Sequence, residues 1–223
     1  MSATTSTKKK AKKLTEKQWF DAYMTHLLET ENTPTSVYKF AKEQQSDESN
    51  FYQYFGSFEG LREAIWNTFF EESMRLAEKQ PEYENFNNQE KMLTFFYTFF
   101  ELLTANRSYV LMTLPKRGDL MEYRVQLKGL RQRVKDFAGT LIAEDNEQKN
   151  LKFLNQPVSV FSEGAWLQTL FLLKYWLSDS SPEFEKTDMA IEKSVRAVFD
   201  VFQTTPLESV VDFGKFLWKN NLR

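Results

Sequence analysis

Between Phe40 and Leu61 the chain reads FAKEQQSDESNFYQYFGSFEGL, and the placing of its apolar residues leaves few folds open. Phe40 and Ala41 precede the polar break Gln44-Gln45-Ser46-Asp47, and Phe51 and Phe55 follow it. Apolar residues at helical spacing on both sides of so short a break predict two short helices that share one core across a tight turn. That is a helix-turn-helix pattern. Phe55-Gly56-Ser57 then reads as a stop and a restart, because glycine lets a chain leave a helix through positive φ and Ser57 is placed to cap the next one.

The flanks extend the pattern. Thr15-Glu16-Lys17-Gln18 has the form of a capping box, so a first helix is expected from Thr15 to about Thr30, with Trp19, Tyr23, Leu27 and Phe20, Met24, Leu28 as its apolar stripes. Glu31-Asn32-Thr33-Pro34 breaks the chain, and Thr35 or Ser36 caps a second helix from Val37 to about Gln44. From Ser57 to about Gln80 a long amphipathic helix carries Leu61, Ile65, Phe69 and Trp66, Phe70, Met74. The division predicted is a tail at residues 1–13, a three-helix head at 14–62 and a helical body at 63–223, the boundary falling inside that long helix.

The stretch resembles the DNA-binding signature of the TetR/AcrR family of bacterial regulators. Phe40-Ala41 match its opening, Phe51-Tyr52-Gln53-Tyr54-Phe55 the end of its recognition helix, and Gly56-Ser57-Phe58-Glu59-Gly60-Leu61 its restart. The resemblance implies an all-α, TetR-like fold with an N-terminal helix-turn-helix head and a C-terminal helical bundle for ligand binding and dimerisation. Two departures stand out. Where the family usually has Ala-Gly-Val-Ser in the turn, this chain has Gln44-Gln45-Ser46-Asp47, and Glu48 stands where a basic residue often opens the recognition helix. From Glu31 to Arg62 three basic residues (Lys39, Lys42, Arg62) face five acidic ones (Glu31, Glu43, Asp47, Glu48, Glu59). Phosphate contacts supply most non-specific DNA affinity, so an acidic head argues against tight binding. For double-stranded DNA, the phosphates are expected at Thr35, Ser36, Lys39 and Tyr52, and the base edges at Ser49, Asn50 and Gln53.

Composition supports helices packed through aromatic faces: 21 Phe, five Trp and nine Tyr stand against seven Gly and six Pro in 223 residues. The absence of Cys excludes disulfides, thiolate metal sites and a thiol nucleophile, and fits a reducing cytoplasm. Residues 1–13, MSATTSTKKKAKK, lack the apolar core of a secretory signal and read as a solubilising tail or a basic arm toward DNA. His26 is the single histidine, and a lone histidine on a helix face reads as packing or solvent contact.

The body reads as six further helices. Asn87 or Asn88 caps the run Met92 to Phe100, which is apolar nearly all round, and Leu111-Met112-Thr113-Leu114 ends at Pro115. Asp119 to about Ala143 carries Leu120, Tyr123, Leu127, Leu130, Val134, Phe137 and Leu141 on one side and Arg124, Lys128, Arg131, Arg133 and Lys135 on the other, read as a solvated face. Pro157 suits the first turn of the next helix, whose apolar run is interrupted by Glu163, Gln168 and Lys174 and so does not span a membrane. Thr187 begins another helix, and Thr205-Pro206-Leu207-Glu208 opens a last one to about Asn220.

Phe95, Phe99, Met112, Met121, Trp166 and Leu170 offer material for an apolar cavity, the region where the resembled family binds small apolar ligands. Leu167, Phe171, Tyr175, Val195, Val198 and Phe202 are the residues expected at a homodimer interface, since the resemblance pairs two late helices with their mates as a four-helix bundle. No phosphate loop, nucleophile motif or carboxylate pair suggests an enzyme, and no cofactor is implied. Two readings follow: a cytoplasmic, ligand-responsive regulator that binds DNA as a dimer, or a carrier of apolar ligands that keeps the fold without DNA binding, as in the lipid-binding protein of coenzyme Q biosynthesis.

Overall fold

Local signals that the sequence carries on its face define where most helices start. In the computed structural model, which describes residues 11–114, 126–148 and 158–204 and the side chains of all these except 145–148 and 202–204, the described residues are helical without a strand. The helices are α1 Glu16–Thr30, α2 Val37–Glu43, α3 Glu48–Tyr52, α4 Phe58–Glu78, α5 Asn88–Ala105, α6 Arg107–Thr113, α7 Lys128–Gln148, α8 Val158–Ser178 and α9 Glu185–Thr204. Single 3₁₀ turns lie at Tyr83–Asn85 and Pro182–Phe184. Thr15 and Gln18 form a reciprocal capping box at α1, and Asn87 and Glu90 form another at α5. Ser36, Asp47 and Ser57 cap α2, α3 and α4 with their side-chain oxygens. Each cap satisfies an amide that has no partner within its helix and contributes ~1 kcal/mol.

The head is built on aromatic rings. Trp19 is fully buried and meets Phe40 at 5.7 Å and Phe51 at 5.4 Å, while Tyr23 stacks on Phe58 at 5.7 Å. In the body, α4 lies along α5 and α7, α7 along α8, and α9 against α5 and α8. Phe95 sits at the centre, with Phe70 at 5.2 Å, Phe137 at 5.3 Å and Phe99 stacked at 5.5 Å. Short α6 packs against α1, so the body reaches back to the head.

Three expectations are corrected. Gly56 does not take positive φ, as no described glycine does; the left-handed residue near the reading helix is Gln45 (φ 57°), in the turn itself. The helix predicted from Asp119 to Ala143 is described from Lys128 and continues to Gln148. Its basic side is paired rather than simply solvated: Arg131 and Lys135 both bond Glu163 on α8, and Arg133 bonds Glu71 on α4 at 2.6 Å. Burial alone would raise the Glu163 carboxyl, but the hydrogen bonds from Lys135 and Arg131 outweigh it and hold it below the usual range. Met121, Arg124, Pro157 and the helix predicted from Thr205 lie outside the described residues.

At the corner between α8 and α9, Arg107 spreads over two rings, 4.4 Å from the Trp176 centroid and 4.5 Å from that of Phe184. Its guanidinium also donates to the carbonyls of Trp176, Leu177 and Asp179, closing the open end of α8. The Asp179 carboxylate accepts from the backbone N–H and hydroxyl of both Ser181 and Thr187.

Candidate functional site

The helix-turn-helix presents one polar face to solvent. Thr35, Ser36 and Lys39 are exposed at the start of α2, and Ser49, Tyr52 and Gln53 are exposed along and just after α3. Asn50 belongs to the opposite side. It is 5 % exposed, and its Oδ1 accepts from Leu14 N–H at 2.8 Å and from Ser46 Oγ at 3.3 Å. The expectation that Asn50 meets a base edge is therefore corrected: a buried amide that satisfies a backbone N–H is held inward by the cost of leaving that N–H unpaired.

Asn50 is one part of a larger attachment. Lys12 N–H donates to the Gln45 carbonyl at 2.8 Å, and Ser46 Oγ donates to the Lys12 carbonyl at 2.7 Å. Residues 12–14 thus lie across the turn between α2 and α3, and the side chains of Lys12 and Lys13 are exposed. The sequence expectation of a tail through Lys13 ends sooner. No local pattern marks this contact, because Leu14 and Asn50 are 36 positions apart.

Electrostatics at α3 are mixed. Asp47 accepts from Ser49 Oγ at 2.6 Å and from Asn50 N–H at 2.9 Å, and these bonds hold its carboxyl below the usual range, with a smaller contribution from the charge of Lys13. A carboxylate suits a helix N-terminus, but it occupies the ground where a phosphate would otherwise sit. Three tyrosines not assigned from sequence as a group, Tyr38, Tyr52 and Tyr54, are exposed around the two helices. His26 Nδ1 stands 3.4 Å from a Glu43 carboxylate oxygen, and its ring meets Phe40 edge-on, so α1 touches α2 here.

In the body the residues expected around an apolar cavity differ in exposure, and Met121 lies outside the described residues. Phe95 and Phe99 are fully buried among other rings, Trp166 is buried on α8, Leu170 is half-buried, and Met112 is exposed on α6. Among the interface candidates, Leu167 (63 % exposed), Phe171 (53 %) and Tyr175 form one exposed apolar stripe on α8, Phe171 and Tyr175 meeting at 6.1 Å. Val195 is corrected: it is fully buried in the core of its own chain. Val198 is half-buried, and the side chain of Phe202 is outside the description.

No described helix is long and apolar enough to cross a membrane, and the described residues hold no group of His, Cys, Asp and Glu arranged for a metal ion. No curated protein and no solved structure matches the chain. One family does: the family described as "Tetracyclin repressor-like, C-terminal domain" matches residues 91–217. That span runs from within α5 through α9 and covers more than half of the chain, and before it α2 and α3 are two short helices joined by a tight turn. The chain belongs to the tetracycline repressor-like (TetR/AcrR) family of regulators.

Proposed function

We propose that the protein is a cytoplasmic transcriptional regulator that binds double-stranded DNA as a homodimer and answers to a small apolar ligand held in its body. The observation that carries this reading is the attachment of residues 12–14 to the turn between α2 and α3, because it sets Lys12 and Lys13 beside the reading helix. Two cations carried on that anchored backbone offset the carboxylates of Asp47 and Glu48, and phosphate neutralisation is what gives such a head its affinity. Thr35, Ser36, Lys39 and Tyr52 face outward to phosphates, and Ser49 and Gln53 are the side chains left to read base edges. The exposed stripe Leu167, Phe171 and Tyr175 supports a two-fold contact through α8, which would place two heads at a fixed separation.

Fluorescence anisotropy against sheared genomic DNA at several salt concentrations tests the reading. Fragment-selective binding with a steep log-salt slope is expected, and Lys12→Glu with Lys13→Glu should weaken binding and make that slope shallower. Absence of selective binding at low salt would overturn it. The second reading, a carrier of apolar ligands without DNA binding, is favoured by the Asp47 carboxylate at the start of α3.

A further inference from the structure

Asn50 stands between the anchored segment and the end of the reading helix, with both atoms of its amide engaged. Its Oδ1 accepts Leu14 N–H at 2.8 Å, and its Nδ2 donates to Gln53 Oε1 at 3.4 Å. The orientation follows from Leu14. A backbone N–H only donates, so it takes the Asn50 oxygen and leaves the Asn50 NH2 to face Gln53. That NH2 has no lone pair to offer a second donor, so Gln53 meets it with its own oxygen. A backbone amide ahead of α1 thereby sets the polarity of an exposed side chain just after α3.

Burial holds this arrangement. Asn50 is 5 % exposed, and Gln53 is the partner that its Nδ2 has among the described residues. If Gln53 swung away, the buried NH2 would be left without an acceptor, which costs more than the loss of one solvated hydrogen bond. The contact is long, so what keeps Gln53 in place is this penalty on the Asn50 side. With Oε1 turned inward, Gln53 shows solvent its NH2. Ser49 is set the opposite way: its hydroxyl proton goes to Asp47 Oδ1 at 2.6 Å, so it faces outward with lone pairs and cannot supply a donor.

A free glutamine pairs with adenine through both amide atoms, its oxygen to N6 and its nitrogen to N7. A glutamine that offers only N–H cannot make that pair. The edge that suits it carries acceptors: guanine presents N7 and O6 in the major groove, thymine presents O4 alone, and cytosine presents a donor. We propose, as a consequence of the regulator reading, that Gln53 reads guanine as a hydrogen-bond donor. Asn50 is then the positioning residue that sets this preference without touching DNA, and Leu14 N–H is what orients Asn50.

The test is selection of bound sequences from a randomised double-stranded DNA library by the full chain and its variants. Base frequencies are ratios, so they are read independently of overall affinity. In the parent, one position of each half-site should favour guanine over adenine by about tenfold, the scale of one good base contact. Gln53→Ala, at an exposed side chain, should erase that preference and so identify the position. Asn50→Asp keeps one oxygen for Leu14 N–H and turns the other toward Gln53, whose NH2 then faces inward. The same position should change from guanine to cytosine, whose N4 donates. Asn50→Leu frees Gln53 and should admit adenine as readily as guanine, which gives a second readout that adds no buried charge. Guanine retained at that position in the Asn50 variants, or no guanine preference there in the parent, would overturn the assignment and leave the regulator reading standing. A parent that enriches no sequence overturns the regulator reading and this assignment with it.

Discussion

Asn50 Oδ1 accepts the backbone N–H of Leu14 at 2.8 Å, and through this bond a side chain of the reading helix holds the segment that precedes α1. Asn50→Leu keeps the size and removes the acceptor. A loss of ~1–3 kcal/mol is expected, the cost of stranding a part-buried N–H. Amide exchange at Leu14 should accelerate in the variant while exchange in α5 does not change; equal protection at Leu14 would contradict the account.

Gln45 occupies the left-handed conformation that the turn requires. A side chain there costs ~1–2 kcal/mol, and glycine recovers this minus the ~0.5–1 kcal/mol that it adds to unfolded-chain entropy. Gln45→Gly should raise the urea midpoint by the equivalent of ~0.5–1 kcal/mol. The Lys12 N–H bond to the residue 45 carbonyl uses backbone only and survives the change.

Gly129 on α7 lies under the Asn67 side chain of α4; a Cβ added there would stand 2.8 Å from Nδ2 and 2.9 Å from Cγ. Gly129→Ala is therefore expected to cost ~1–2 kcal/mol despite the helix propensity that alanine brings. Adding Asn67→Ala removes the obstruction together with an amide oxygen that has no hydrogen-bond partner. The double variant should be at least as stable as the parent, and a double-mutant cycle on thermal midpoints reads the coupling.

Burial raises the Asp179 carboxyl, but the bonds from Thr187 and Ser181 outweigh it and bring it from 3.8 to about 2. A pKa lowered in the folded state contributes stability that is complete above the unfolded value and is lost as pH falls from about 4 through about 2. Asp179→Asn should lower stability at neutral pH by ~1–2 kcal/mol, the worth of a charge-assisted hydrogen bond. Below about pH 2 the two proteins should converge. A constant gap in denaturation midpoint across that range would show that the charge is not what matters.

What was legible in the sequence was what neighbouring residues decide. The capping box at Thr15 and the cap at Ser57 involve partners three residues away and appear where the pattern placed them, and of the two candidates Asn87 and Asn88 it is Asn87 that caps α5, in a box with Glu90. The turn at Gln44 to Asp47 was legible for the same reason, but the left-handed residue was not, since Gly56 lacks the Cβ that penalises positive φ and Gln45 carries one. From sequence Asn50 looks like a base contact, because the partner that holds it inward, Leu14, is remote along the chain. Val195 and Phe171 look alike as apolar residues on late helices; only the packing of α9 on α5 and α8 separates the buried one from the exposed one.

Helix α6 spans seven residues, too short to persist unaided, and it is fastened at its first residue by Arg107 to the α8–α9 corner while its flank covers α1. A cut at residue 62, where the head ends by sequence, would strip from α1 a cover that belongs to a distant part of the chain. Head and body are consequently not exchangeable modules: a chimera that joins this head to another member's body must carry α6 and the corner that anchors Arg107, or it will bare the flank of α1.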